Sequence, residues 1–378
     1  MSEPRVEDER FLRRALRLGL RGLGRTSPNP PVGAVVVRDG RVVGRGYHRG
    51  AGQPHAEAEA LRNAGELARG ATLYVTLEPC SHYGRTPPCT EAILRAGIRR
   101  VVFGSRDPNP ASGQGRRVLR RGGVEVVEGV LEGPCRALLA PFAKAVERGL
   151  PWLTLKLAAS ADGRIATSTG DSRWVSSAES RSLVHHWRDT HDAVLVGANT
   201  VLRDDPLLTC RKPGGRNPWR VVVDGRLRVP LGAKIFGPVL AKGSLVFTTP
   251  RASPEKVSAL RRRGVQVIVV PARRGTPKLR SVLRRLVRLG VHSVLLEGGA
   301  ELATQAVRER LVDAVRFFYA PKLVGGDGTP MLGKLGVRRM GRAVRLFAVR
   351  YRRVGPDCLL EATLENGTPE WPGLGIGP

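Results

Sequence analysis

His55 and Glu57 stand two residues apart in "HAEAEAL", and Cys80 and Cys89 flank the stretch "SHYGRTPP". An imidazole and two thiolates are ligand types for a borderline-soft divalent metal, and a catalytic zinc keeps three protein ligands with a water in the fourth position. His55, Cys80 and Cys89 would fill those three places, which predicts one Zn2+. Glu57, on the first turn of a helix, can project towards the same metal without binding it. Zinc lowers the pKa of its water, and a nearby carboxylate can take that proton and hand it to a leaving amine, so the set suits a hydrolytic deamination. The plainer alternative makes Cys80 a buried apolar residue unrelated to His55. A structural zinc would ask for four protein ligands, and only three are evident.

These side chains need elements to hold them. Apolar positions Phe11, Ala15, Leu16 and Leu20 among charges predict an amphipathic helix from Glu7 to Leu20. "VGAVVV" (Val32 to Val37) and "RVVGRGY" (Arg41 to Tyr47) around Asp39-Gly40 predict a hairpin. His55 then begins a helix rich in Ala, Glu and Leu, Ala71 to Leu77 is a strand, and Cys89 precedes a helix ended by Gly97. A strand, a short helix and a strand continue the alternation to about residue 130, and a helical run from Pro134 to Glu147 follows. The alternation pauses at Gly149-Leu150-Pro151, which sets the expected domains at 1–150 and 151–365. The second half alternates again, with strands at "WLTLKLAAS", "DAVLVG", "RVVVD", "SLVFTT", "VQVIVV" and "SVLLEGG". Helices fall at "SSAESRSLVHHWRD", "LRSVLRRLVRLG" and "AELATQAVRERL", and late strands include "AVRFFYAPKLVG" and "CLLEATLE". Gly/Pro-rich residues 366–378 read as a loose tail.

The chain has 378 residues, 41% of them hydrophobic and 25% charged, ordinary for a globular protein with two cores. It has no apolar run of about 18 residues able to span a bilayer. The polar, acidic start "MSEPRVEDER" is unlike a secretory signal, and five scattered cysteines do not make a disulfide framework, so the expected compartment is the cytoplasm. The net charge of +30, from 63 Lys+Arg against 33 Asp+Glu, fits a nucleic-acid binder or an enzyme of phosphorylated substrates. The arginines are spread along the whole chain without a basic tail, which also fits a solvated-surface bias of composition, so the charge alone decides little between them.

His-x-Glu at a helix start, followed by Pro-Cys after the next strand, resembles the signature of zinc deaminases of nucleobases. Their commonest form has two residues between the cysteines, whereas Ser81 to Pro88 make eight here. "SPNPPVGAVVV", "HAEAEAL", "TLEPCSHYGRTPPCTEAI" and "DPNP" together resemble the deaminase half of the bifunctional riboflavin-biosynthesis deaminase/reductase, in which the long loop is usual. The resemblance implies a cytidine-deaminase-like three-layer α/β/α domain with zinc on His55, Cys80 and Cys89, and Glu57 as proton shuttle. It implies that Asn29 contacts the substrate ring, and that His82 and Arg85 either reach its polar or phosphate groups or hold the loop.

"KLAASADGRIATSTGDSRWVS", "VGANTVLRDDPLLTCR" and "LLEGGAELATQ" resemble the reductase half of that family, which implies a dihydrofolate-reductase-like α/β domain using NADPH. By that resemblance Ala158, Trp174, Thr200, Asp204, Gly299, Ala300, Glu301, Leu302, Ala303, Thr304 and Gln305 line the cofactor, and Ser172, Arg188, Leu208, Arg211 and Glu297 the substrate. Read physically, Gly298-Gly299 between a strand and a helix presents free N–H groups to an anion such as a pyrophosphate, although such a turn is often only a connection. The GxGxxG fingerprint of a Rossmann site is absent from it. Arg188 and Arg211 suit a phosphate, because a guanidinium fork binds one bidentately. Lys156, Asp204 and Glu297 are candidates for the proton that accompanies hydride transfer, and Arg251 for the cofactor's 2′-phosphate.

The implied function is hydrolytic deamination of 2,5-diamino-6-ribosylamino-4(3H)-pyrimidinone 5′-phosphate. NADPH-dependent reduction of its ribosyl to a ribityl side chain then gives 5-amino-6-ribitylamino-uracil 5′-phosphate. The resemblance also implies a homodimer. The alternative is an RNA or nucleoside deaminase with an accessory nucleotide-binding domain.

Overall fold

Glu7, Asp8 and Glu9 open the first helix, α1 (Val6–Gly19), and Arg17 lies in its last turn, each sign favourable at its end of the helix dipole. The structure, a computed structural model, describes residues 6–84, 87–110, 112, 114–273 and 275–365. It divides into two units between Gly149 and Leu150.

In the first unit α1 lays Phe11, Leu12 and Ala15 against Val35 of β1 (Gly33–Arg38). Asp39 and Gly40, at φ 50° and 70°, turn β1 into β2 (Arg41–Tyr47), because a two-residue hairpin turn of this twist needs positive φ at both positions. The chain continues through α2 (Ala56–Ala64), β3 (Thr72–Leu77), α3 (Cys89–Arg95), β4 (Arg100–Ser105), α4 (Gly115–Arg121), β5 (Glu125–Glu128) and α5 (Glu132–Arg148). The sheet order is β2-β1-β3-β4-β5, with β1 antiparallel to both neighbours and β3, β4 and β5 parallel. Helix α1 and the start of α5 cover one face, and α2, α3 and α4 the other. This is the expected three-layer α/β/α arrangement.

Two glycines of β2 decide where α2 begins. A Cβ at Gly46 would lie 2.2 Å from the Ala56 carbonyl oxygen, and one at Gly44 would lie 2.2 Å from that of Ala60. Only glycine lets the helix backbone rest this closely on the strand, and the helix starts at the residue after His55.

The second unit runs β6 (Trp152–Ser160), β7 (Arg164–Ala166), α6 (Ala178–Thr190), β8 (Ala193–Gly197), α7 (Ala198–Asp204), β9 (Trp219–Val223) and β10 (Ser244–Thr248). It continues with α8 (Pro254–Arg262), β11 (Gln266–Val269), β12 (Ala272–Arg273), β13 (Thr276–Pro277), α9 (Leu279–Arg288), β14 (Ser293–Glu297) and α10 (Ala300–Arg308). Strands β15 (Ala314–Ala320), β16 (Thr329–Pro330), β17 (Phe347–Val354) and β18 (Asp357–Thr363) complete it. Among the described residues the main sheet has nine strands, ordered β11-β10-β9-β8-β14-β6-β15-β18-β17. Strands β11 to β15 in that order are parallel, and β18 and β17 return antiparallel. Its central strands are near-continuous apolar runs, as sheets covered on both faces require. Leu195, Val221 and Phe247 face α9 and α10, while Val194, Val222 and Val246 face α6, α7 and α8. Helices α7 and α8 go beyond the elements the sequence pattern suggested. Helix α8 carries a Ser253 cap, whose side chain accepts the Lys256 N–H, with Pro254 beginning the helix.

Candidate functional site

The segment before β1, the loops after β2, β3 and β4 and the start of α2 enclose a cavity of about 260 Å³, and Asn29, His48, His55, Glu57, Glu78 and Cys80 are on its wall. His55 caps α2 in extended backbone, at φ −70° and ψ 162°, which points its ring out of the helix. Its Nδ1 lies 3.3 Å from Cys89 Sγ and 3.6 Å from Cys80 Sγ. A tetrahedral zinc bonded at about 2.0 to 2.3 Å places its ligand atoms about 3.6 Å apart, so donor types and spacing both fit that ion. The Cys89 N–H donates to Cys80 Sγ at 3.3 Å. The Cys89 thiol's hydrogen bond, helped by His55 and then by this N–H, holds the Cys80 thiol well below its ordinary pKa against the effect of burial.

Glu57 is 4% exposed, and burial pushes its carboxyl up to about 7, opposed chiefly by the charge of His55. A carboxyl group near neutrality can both accept and return a proton at physiological pH. Across the cavity Asn29 Nδ2 and His48 Nε2 are 3.0 Å apart, and His48 Nδ1 is 3.1 Å from the Pro54 carbonyl oxygen. A carbonyl only accepts, so His48 donates through Nδ1, and its Nε2 accepts from the Asn29 amide. Burial, the largest influence, lowers the His48 pKa and favours this neutral ring.

A second cavity, of about 640 Å³, lies in the other unit, along the ends of β8 and β9 and the start of α10. The Gly299 N–H donates to Thr200 Oγ1 at 3.1 Å, which fixes the Gly298-Gly299 turn. First-turn N–H groups of α10 have no partner within the helix and suit an anion there. Arg203, Arg226 and Arg228 also line this cavity. Nearby on β14, Glu297 accepts Arg188 Nε at 2.7 Å and Nη2 at 2.9 Å, while Arg188 Nη1 donates to the Thr209 carbonyl at 3.0 Å. Glu297 is paired in register with Lys156 of β6. Burial lowers the Lys156 pKa, against the pull of Glu297's charge.

Two families match this chain: "RibD C-terminal domain" over residues 151–360, and "Cytidine and deoxycytidylate deaminase zinc-binding region" over residues 5–105. Riboflavin biosynthesis protein RibD of Aquifex aeolicus is 43% identical over 355 residues, 93% of this chain and 97% of that one. The Escherichia coli K12 protein of the same name is 38% identical, over 94% of this chain and 99% of its own. The chain belongs to the RibD family of riboflavin-biosynthesis proteins. Among solved structures, Acinetobacter baumannii RibD superposes with a TM-score of 0.86 at 36% identity, covering 95% of this chain and 99% of that one. A Thermotoga maritima diaminohydroxyphosphoribosylaminopyrimidine deaminase/5-amino-6-(5-phosphoribosylamino)uracil reductase gives 0.84 at 39% identity over 95% and 99%.

As a RibD-family protein the chain is a bifunctional enzyme of riboflavin biosynthesis, with a zinc-binding deaminase domain and an NADPH-dependent reductase domain. The reading as an RNA or nucleoside deaminase is not favoured, because the RibD C-terminal match fills the second half. None of the helices among the described residues is long and apolar enough to cross a membrane.

Of the residues singled out in sequence, His55, Glu57, Cys80, Asn29 and His82 line the first cavity, and Cys89 stands beside the first three. Arg85 lies outside the described residues. Thr200, Gly299, Ala300, Glu301, Leu302 and Gln305 line the second cavity. Ala303 and Thr304 turn away from it with the helical period. Ala303 is fully buried, and Thr304 Oγ1 donates to the Ala300 carbonyl and accepts the Gly333 N–H at 2.7 Å. Ala158, Trp174 and Asp204 are not on that wall either. Trp174 is 62% exposed with the Arg181 guanidinium 4.4 Å from its ring centroid, and the Asp204 carbonyl accepts from Arg173.

Arg188, Glu297 and Lys156 come together; Leu208 is buried one residue before Thr209, Arg211 is exposed, and Ser172 is half-buried. Arg251 stands behind Gly275, where a Cβ would lie 3.1 Å from its Nη1. His48, Arg226 and Arg228 belong to no short motif, and Glu78, Asp107 and Arg203, although they lie in "TLEPCSHYGRTPPCTEAI", "DPNP" and "VGANTVLRDDPLLTCR", escaped sequence reasoning because only their surroundings in space single them out.

Proposed function

We propose that this chain hydrolyses the exocyclic amine of 2,5-diamino-6-ribosylamino-4(3H)-pyrimidinone 5′-phosphate in its first domain and reduces the ribosyl group of the product to ribityl in its second. The observation that carries the reading is Glu57, buried on the cavity wall two residues from His55, hydrogen-bonded to the Cys89 thiol and close enough to Cys80 to feel its charge. In this reading residues 1–150 form the deaminase domain, 151–365 the reductase domain and 366–378 a tail, and the enzyme works as a cytoplasmic homodimer. The RibD relatives, which this chain matches over nearly its full length, support it.

His55, Cys80 and Cys89 hold zinc, which when bound supplies the Lewis acid that makes water nucleophilic at neutral pH. Glu57 takes the water's proton and delivers it to the departing amine. Asn29, its amide oriented by His48, contacts the pyrimidine ring. His82 and Arg85 serve the polar or phosphate end of the substrate.

In the second domain Thr200, Gly299 and Gln305, which line the cavity, would hold NADPH, which when bound would supply the hydride. The remaining cofactor and substrate positions stay with Ala158, Trp174, Asp204, Ser172, Leu208 and Arg211. Three of the five Arg188 N–H donors hold Glu297 and the Thr209 segment in place, and the remaining Nη donors serve the substrate phosphate. Burial raises the Glu297 carboxyl, but the charge and hydrogen bonds of Arg188 outweigh it and leave the pKa below its ordinary value. A carboxylate so held is an acceptor, and Asp204 is not on the cavity wall, which favours the Lys156 ammonium beside Glu297 as the proton donor. Glu57→Gln should keep zinc and the reductase activity and lose ammonia release by at least about 100-fold, the scale of a lost general acid–base. Undiminished ammonia release would overturn the reading.

A further inference from the structure

Glu78 closes the floor of the deaminase cavity, and nothing in the reaction described above uses it. It follows β3, two residues before Cys80, and is 2% exposed. One carboxylate oxygen is committed: Oε1 accepts the Arg116 N–H in the first turn of α4 at 3.0 Å. The helix can come this close because residue 115 is glycine, whose Cβ would otherwise lie 1.8 Å from the Pro79 carbonyl oxygen. The other oxygen, Oε2, is buried with no hydrogen-bond partner among the described residues, although Glu78 is on the cavity wall. Its acidic neighbour is committed differently, since Asp107 Oδ1 accepts the Asn109 N–H at 2.8 Å.

A buried acceptor left without a donor costs more than most single contacts contribute, so such an atom on a cavity wall calls for a donor from the occupant. A carboxylate oxygen offers only acceptance. An aminopyrimidinone carries N–H groups on its ring and on its exocyclic amines, which is the complement required. We infer that Glu78 is a substrate-recognition residue of the deaminase site, its Oε2 accepting an N–H of the aminopyrimidine base while α4 holds Oε1. The inference rests on the substrate class proposed above. It adds to that reading a determinant that orients the base over the His55, Cys80 and Cys89 cluster.

The test is Glu78→Gln in the full chain. Glutamine keeps an oxygen for the Arg116 N–H and turns an NH2 towards the base, so donor faces donor. The expected result is a KM for ammonia release raised by about tenfold or more, the scale of one charge-assisted hydrogen bond. The kcat should fall less, and zinc content, Tm and NADPH oxidation with the deaminated substrate should stay at wild-type levels. An unchanged KM would overturn the inference. So would lost zinc or a lowered Tm accompanying the loss of activity, which would make Glu78 a strut for α4 alone. Wild-type enzyme assayed in parallel separates the two claims: if it releases no ammonia from the diaminopyrimidinone, the substrate reading fails, not Glu78's part in it.

Discussion

At the scale of single residues, this chain repeatedly uses one neighbour to set the state of another. Glu57 is brought near neutrality by burial, His48 is locked as one tautomer by the Pro54 carbonyl, and Glu297 is kept an acceptor by the Arg188 fork. Arg228 is a comparable case in the reductase cavity. Its Nη2 donates to Asn199 Oδ1 at 2.7 Å, which directs the guanidinium along the wall that also carries Arg226. Arg228→Ala should raise KM for NADPH about tenfold while leaving KM for NADH nearly unchanged, since only the former has a 2′-phosphate for a guanidinium to bind. Parallel rises for both cofactors would contradict a 2′-phosphate role for Arg228 and leave Arg251, the candidate from sequence.

His191 yields a stability prediction. It is fully buried, with Nδ1 2.7 Å from the Trp187 carbonyl oxygen, and burial, reinforced by the charge of Arg316, lowers its pKa from 6.5 to about 3. Between those values the unfolded chain binds a proton that the folded chain excludes. Stability therefore rises with pH across this window, by up to about 1.4 kcal/mol per pH unit from this group, and the contribution is complete above the unfolded value. Urea unfolding of the wild type and His191→Gln between pH 4.5 and 7, about the accessible part of the window, should show a flatter pH dependence in the variant. Equal slopes would refute it.

At the scale of elements, the deaminase site depends on how closely α2 sits on β2. Gly46→Ala would push a methyl group to within 2.2 Å of the Ala56 carbonyl, next to the metal-binding imidazole. Overpacking of this kind costs about 1–3 kcal/mol. Weakened zinc retention and slower ammonia release, with reduction intact, are the expected outcome, measured by zinc content after dialysis; full retention would show that α2 tolerates the shift.

Elements also mark what the sequence could reveal. The hairpin was legible because Asp39-Gly40 is local turn chemistry, and the zinc set because His55, Cys80 and Cys89 are uncommon ligand types next to predictable element ends. Helix α8 carries a local start signal of its own in Ser253-Pro254. Sheet order was not legible: β14 lies between β8 and β6 through pairings more than 100 residues apart. Nor was the pairing of Arg188 with Glu297, 109 residues away. Glu78 and His48 were hidden for the same reason, because their importance lies in what surrounds them in space.

At the scale of the whole molecule, the net charge of +30 is an excess of basic residues spread along the chain, several of which have fixed places in the fold. Arg100 is bound by Asp8 and Glu125, Arg220 by three groups of its own fold, and Arg203, Arg226 and Arg228 by their place on a cavity suited to a phosphorylated cofactor. Two chemistries are carried in two units of one chain, each with its own core and cavity, so they should be separable by treatments that reach only one.

The most direct measurement follows ammonia release and NADPH oxidation in the same sample of full-length enzyme, before and after zinc is removed by chelation and again after zinc is restored. Two chemistries on one chain predict that chelation abolishes ammonia release from the diaminopyrimidinone, leaves NADPH oxidation with the deaminated substrate unchanged, and that added zinc restores the first. Ammonia release that survives complete zinc removal, or loss of both activities together, would contradict it.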